Sequence, residues 1–291
     1  MTLSTTEIEN ERRRGRIAGA ATIASGLLLG VAIVWSALVN ADRPDGDNKE
    51  AEQLRYVHDH AGELIGVSVV RAIGFGLLAF TILYLYRATK ARNEDLPSVS
   101  LVAGLFGIVA LGIGSIIQAI SLADQAADFS GQSFGSVKEA NEAAKDATKE
   151  TLPIASGLVA IAGTVALGFW FVLGSLNAMR VGLLTRFLGV LGIIIGPGFL
   201  FGFALPVMVF WLIAVGIMFL GRWPAGRPPA WDAGEAVAWP GRGAAPAGDT
   251  TEVVSDSPPN GEVHATGPGV RQPTRDSPGE RITRRKRKRR Q

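Results

Sequence analysis

Arg71 is the one formally charged side chain well inside an apolar run, seven residues after Leu64 opens that run, or about 10 Å along a helix. A guanidinium at such depth must snorkel outward, meet a carboxylate, or hold an anion. Glu63, eight residues earlier on the same segment, is its expected partner. The sharper role is the cation of an anion or lipid-headgroup site between helices. Gln118, in a later apolar run, could add an interhelical hydrogen bond worth about 1 kcal/mol. Asn177 lies at the end of the next. None of the apolar runs contains Asp, Glu or His. That removes the usual proton relays, cation-coupling sites and axial haem ligands, and the histidine that a membrane hydrolase or metalloprotease needs. An enzyme is therefore not expected, and no cofactor is.

One cluster has metal-binding residue types: His58, His60 and Glu63. Side chains at i and i+2 diverge on a helix, and the stretch from Glu50 to Glu63 reads as helical, so a solvated helix ahead of the membrane is expected rather than a zinc site. Cysteine is absent, which rules out disulfides, thiolate nucleophiles and Cys-ligated metals.

The elements that must position these residues are apolar helices. A membrane helix needs about 20 apolar residues to cross roughly 30 Å of hydrocarbon. Residues 17–39, 64–86, 99–122 and 152–175 meet that length and are flanked by charge. From Phe187 to Leu220 there is no charged residue for 34 positions, which would make one helix of about 50 Å. Gly196, Pro197, Gly198, Gly202 and Pro206 interrupt it. Such residues favour a break, so a hairpin with arms 181–202 and 203–220 is expected. One span plus a re-entrant piece is the alternative. The fold class is thus all-α: a polytopic transmembrane bundle of six spans.

Lys and Arg in short loops set orientation. Arg12, Arg13, Arg14 and Arg16 precede the first span. Arg87, Lys90 and Arg92 occupy the second connection, and Arg180 and Arg186 the fourth. The first and third connections are longer and rich in Asp and Glu. Both termini are accordingly expected in the cytoplasm, with residues 1–16 as a basic N-terminus. Val39-Asn40-Ala41 resembles a signal-peptidase site, but the apolar run before it, 22 residues from Ile17 to Leu38, exceeds the usual 7 to 15 of a cleaved signal.

Outside the spans, Ser136 and Glu139 have capping-box spacing and Lys138 and Glu142 form an i,i+4 pair. A helix there is expected to extend the fourth span outward. Residues 222–291 are rich in Pro, Gly and Ala and are expected to be disordered. Their first part holds Trp223, Trp231 and Trp239, which suit the headgroup level or a docking segment for another protein. Their end holds seven consecutive cations, Arg284, Arg285, Lys286, Arg287, Lys288, Arg289 and Arg290. This run is expected to bind anionic lipid headgroups; nucleic acid is the less favoured partner. Gly26 and Gly30, Gly104 and Gly107, and Gly192 and Gly196 are spaced for close helix contact. The last pair could instead form a homodimer face.

The charged N-terminus leading into Ile17-Ala18-Gly19, Arg71 early in the second span, and the Trp-Pro, Arg-Pro-Pro-Ala-Trp and Trp-Pro pieces at Trp223, Arg227 and Trp239 carry a resemblance. The chain resembles uncharacterised multi-pass membrane proteins of high-GC Gram-positive bacteria, over about residues 10–240. The resemblance implies a bacterial inner-membrane location and no activity. The favoured function is a non-enzymatic scaffold or regulatory partner acting through contacts. The alternative is a small transporter or channel for an apolar or anionic solute. Transport expects Arg71 and Gln118 to face one cavity; contact function expects Arg71 to meet loop carboxylates.

Overall fold

The computed structural model describes residues 3–46, 49–147, 151–224 and 226–237, with the backbone alone for 151–156. The regular structure among the described residues is helical: α1 (Thr5–Val39), α2 (Glu50–Asp59), α3 (Ala61–Lys90), α4 (Val99–Ser130), α5 (Val137–Ala147), α6 (Thr151–Arg180), α7 (Arg186–Gly198), α8 (Ala204–Phe219) and α9 (Ala230–Ala233). Four of them, α1, α3, α4 and α6, are long and apolar enough to cross a membrane. The apolar helices α7 and α8 have 13 and 16 residues, so they reach only about 20 and 24 Å.

The six apolar helices form a closed ring in chain order: α1 packs on α3, α3 on α4, α4 on α6, α6 on α7, α7 on α8, and α8 back on α1. Small and hydroxyl residues make the seams. Along α1, Ala18, Gly19, Thr22, Ser25, Gly26 and Leu29 are buried, while Ile17, Leu27, Val31 and Val34 on the opposite face are exposed. A soluble helix would bury the large residues; this inversion suits a lipid-facing exterior and close backbone approach inside. Ser25 donates to the Gly74 carbonyl at 2.7 Å, and Thr22 and Thr81 hydroxyls meet at 2.7 Å. A Cβ on Gly216 would stand 2.9 Å from the Gly19 carbonyl oxygen, and one on Gly107 2.8 Å from the Leu167 nitrogen. Gly192 and Gly196 face Ser175, Val172 and Gly168 of α6. That pair therefore packs within the chain. The ring is plugged by Trp170, Phe171 and Trp211, whose rings lie 5.0 to 6.5 Å apart, and Trp211 Nε1 donates to the Leu188 carbonyl at 2.8 Å.

Several sequence expectations are corrected. The hairpin's first arm begins at Arg186, not near Val181. Residues 181–185 are a tight connection in which Gly182 has φ +79°, a left-handed conformation that glycine adopts without steric cost. The helix predicted in the third connection exists as α5, with Ser136 Oγ accepting from the Glu139 N–H at 3.2 Å. It is an element separate from α6 and packs on α2 and the end of α4. Ala51, Leu54 and Val57 of α2 meet Ala140 and Ala144 of α5 and Ala126 and Phe129 of α4 in a second small core. Asn141 Oδ1 accepts from the Ala51 N–H at 3.1 Å, and Lys145 pairs with Glu50 at 3.2 Å. The reason is amphipathic spacing: i, i+3/i+4 apolar positions on both short helices supply faces that water disfavours.

The expectation of disorder from residue 222 is also corrected for residues 226–237, which close the N-terminal end of the bundle. Trp231 is 2% exposed. Its indole donates to the Leu183 carbonyl at 2.8 Å and stacks on Tyr84 at 5.4 Å. The Arg92 and Arg227 guanidinium carbons lie 5.5 and 5.0 Å from its ring centroid. Arg92 joins the pieces: it holds both Glu11 carboxylate oxygens at 2.9 Å and the Ala230 carbonyl at 2.9 and 3.1 Å. The N-terminus of α1, the α3–α4 connection and the segment after α8 thereby meet at one guanidinium. Composition alone favoured disorder here, but one large indole and two prefixed prolines, Pro228 and Pro229, reduce the entropy lost on docking. Trp239 and the basic run Arg284–Arg290 lie outside the described residues.

A recess at the far end of the bundle

Because α7 follows α6 only from Met179 back to Gly168, the remaining length of α6 toward its N-terminus has no α7 beside it. The ring is therefore full at the end carrying the chain's N-terminus and open at the other. A recess of about 330 Å³ lies there, walled by α3, α4 and α6 and floored by the α7–α8 turn. Arg71 and Phe75 come from α3, Ser115 and Gln118 from α4, Thr164 from α6, and Phe199 from the turn. The Gly196-Pro197-Gly198 break positions this floor, since Pro197 ends α7 one residue later.

Arg71 and Gln118 thus line one space, and Arg71 is half-buried while Gln118 is exposed at the rim. The expected Arg71–Glu63 pair is not formed among the described residues. Eight residues of helix separate the two by about 12 Å of rise and 80° of rotation, too far for side chains to close. Arg71 makes no hydrogen bond or ion pair with any described residue, so its charge is free to meet a ligand or water.

The sequence reading missed Ser115, Thr164 and the start of α8. Ser115 is one turn before Gln118 on the same face, a signal available from spacing. Thr164 had no signal, because its place depends on how α6 packs. Both hydroxyls donate backward to their own helices, Ser115 to Gly112 O and Thr164 to Ala160 O, each at 2.8 Å, and keep lone pairs free. Ala204 and Leu205 also line the recess, and the N-terminus of α8 has no side-chain cap. The partial positive charge of that helix end adds to that of Arg71.

Among the described residues, His58 and His60 build no metal site. His60 stacks on Tyr56 at 4.0 Å with its Nδ1 2.9 Å from the Tyr56 carbonyl, and among the described residues no three His, Asp or Glu side chains stand together as ligands.

A ring of apolar helices with small-residue seams and a lipid-facing exterior of large side chains defines an α-helical membrane protein of several passes. The chain belongs to the family DUF4386, a domain of unknown function, whose model matches residues 16–224. No curated protein and no solved structure matches it.

Proposed function

We propose that the protein binds a small anionic solute with an apolar body in the recess around Arg71. The observation that carries this reading is an unpaired guanidinium facing the same space as Gln118, where a contact protein would tie it to a loop carboxylate. The recess is at the lower end of the usual small-molecule range of about 300–1,000 Å³. Phe75, Phe199 and Leu205 suit an aliphatic portion; Arg71 and Gln118 suit a carboxylate or phosphate. The Trp170–Phe171–Trp211 plug below it closes the path to the other end of the bundle, so this conformation is open at one end only; carrying the solute across would require those rings to part. No catalytic chemistry is proposed.

Hexanoate and hexanol separate the charge from the chain. Arg71→Gln is expected to weaken hexanoate binding by about 10- to 100-fold, the worth of a charge-assisted hydrogen bond, and to leave hexanol unchanged. Equal loss of both, or no loss of either, removes Arg71 from the site. An unchanged thermal transition for the variant is part of the expectation, since no partner within the fold is lost.

The same reading has α7 and α8 as two short crossings, giving six passes and both termini in the cytoplasm of a bacterial cell. Antiparallel packing of α8 along α1 from Gly19 to Gly30 supports it. Reporter fusions after residues 130 and 237 should report opposite sides of the membrane; matching sides would refute the six-pass arrangement. The basic run at Arg284–Arg290 would then lie at the cytoplasmic face, suited to anionic lipid.

A further inference from the structure

A second cleft, at the N-terminal end of the bundle, has no part in the recess reading. It lies between the first turns of α1 and the last turns of α3 and measures about 620 Å³. Four charged side chains line it: Glu7, Glu11, Arg14 and Arg87. Both carboxylates are already engaged. Glu7 accepts from the Ser4 amide and hydroxyl at 2.9 and 2.8 Å in a capping box, and Glu11 accepts both bonds from Arg92. Neither Arg14 nor Arg87 forms an ion pair or hydrogen bond with any described residue, and both are exposed. With Glu11 neutralised by Arg92 and Glu7 bonded only to Ser4, the cleft presents two unpaired guanidiniums against one unpaired carboxylate, a net positive charge.

Just toward the membrane from these cations the lining becomes apolar. Ile17 stands one turn beyond Arg14 on α1, 61% exposed, and Phe80 lies two turns before Arg87 on α3, 47% exposed. Since α1 and α3 run antiparallel here, both apolar residues fall on the membrane side of both arginines. Two cations above an exposed apolar groove match one chemical class: a phosphate diester carrying acyl chains. A soluble anion would use the cations and leave the groove bare, and a zwitterionic phospholipid would bring a cation of its own beside the two arginines, so a headgroup of net negative charge fits best.

We propose that this cleft holds an anionic glycerophospholipid of the surrounding leaflet, with its phosphate on Arg14 and Arg87 and an acyl chain along Ile17 and Phe80. Tyr84 and Glu11 form the back of the cleft, so the lipid sits directly against the residues that hold Arg92 and Trp231.

The test uses the full-length protein in a non-ionic detergent with equimolar dioleoylphosphatidylglycerol and dioleoylphosphatidylcholine, counting retained lipids by native mass spectrometry. Any exposed arginine attracts anionic headgroups, so the comparison is between two double variants of equal charge. Arg14→Gln with Arg87→Gln should weaken binding of the most tightly held phosphatidylglycerol by about 10- to 30-fold. Arg13→Gln with Arg16→Gln, on the other side of α1, should change it by less than about twofold. Equal losses in the two double variants would overturn the proposal, as would equal retention of the two lipids by the unmodified protein. Displacement of phosphatidylglycerol by inorganic phosphate alone would also overturn it, by assigning the cations to a soluble anion. Hexanoate binding in the recess is a separate readout, so failure here leaves that reading standing and the converse holds.

Discussion

Trp231→Ala is expected to destabilise the protein by about 3–5 kcal/mol, the usual cost of emptying a large buried aromatic site. The indole is 2% exposed and meets Tyr84, Phe219 and two guanidiniums, so its removal leaves a cavity that rigid helix ends cannot collapse to fill. It also strands the Leu183 carbonyl that its Nε1 satisfies. Thermal unfolding in detergent, followed by circular dichroism, measures this. A transition unchanged by Trp231→Ala would mean that the segment after α8 is not part of the fold. Trp231→Phe should recover part of the loss, because it fills most of the volume without the hydrogen bond.

Arg92→Leu is expected to cost a similar amount, about 3–5 kcal/mol, because it leaves a carboxylate largely out of water without its partner. The Arg92 side chain is fully buried and that of Glu11 only 13% exposed. The Glu11 carboxylate and the Ala88 and Ala230 carbonyls converge on this guanidinium, and a leucine satisfies none of them. Arg92→Lys should be intermediate, since an ammonium keeps the charge but not the paired geometry. Combining Arg92→Leu with Trp231→Ala should give less than the sum of the two, as both release the same docked segment. Additive losses would indicate two independent anchors.

Much of the fold was legible in the sequence because bilayers impose a simple length and polarity rule. Four long apolar helices, the Gly-Pro-Gly break after Ile195 and the small-residue seams could be read directly. Arg71 was legible as the one charge deep in a span, and Gln118 as a polar companion, because each stands out against an apolar background. Their shared recess was not, since it exists only where α7 stops short of the full length of α6. The Arg71–Glu63 pairing was misread from proximity along one helix, where the missing criterion was the rise between them.

The N-terminal end was the least legible region. Arg92 reads as one more loop cation and Glu11 as one acidic residue beside four arginines; nothing in their own neighbourhoods marks a contact across 81 positions. Trp231 reads equally well as a residue of the headgroup layer. A usable signal was the Pro228-Pro229 pair, which restricts the backbone just before a large aromatic. The short helices α2 and α5 read as a solvated helix and an outward extension of the fourth span, because the apolar face of neither can be matched to a partner from sequence alone.

On the proposed reading a solvent-filled, positively charged recess surrounds Arg71, and the absence of native cysteine allows a direct measurement by single-cysteine labelling. Ser115→Cys places a thiol in the recess, Val109→Cys one on the lipid-facing side of α4, and Val137→Cys one in an exposed position for reference. Rates of modification by an anionic and a cationic methanethiosulfonate are compared, each relative to Val137→Cys. Ser115→Cys should react, favouring the anionic reagent by about tenfold through the local potential, and Arg71→Gln should abolish that preference while Val109→Cys stays inert. An unreactive Ser115→Cys, or a preference that survives Arg71→Gln, would contradict the account.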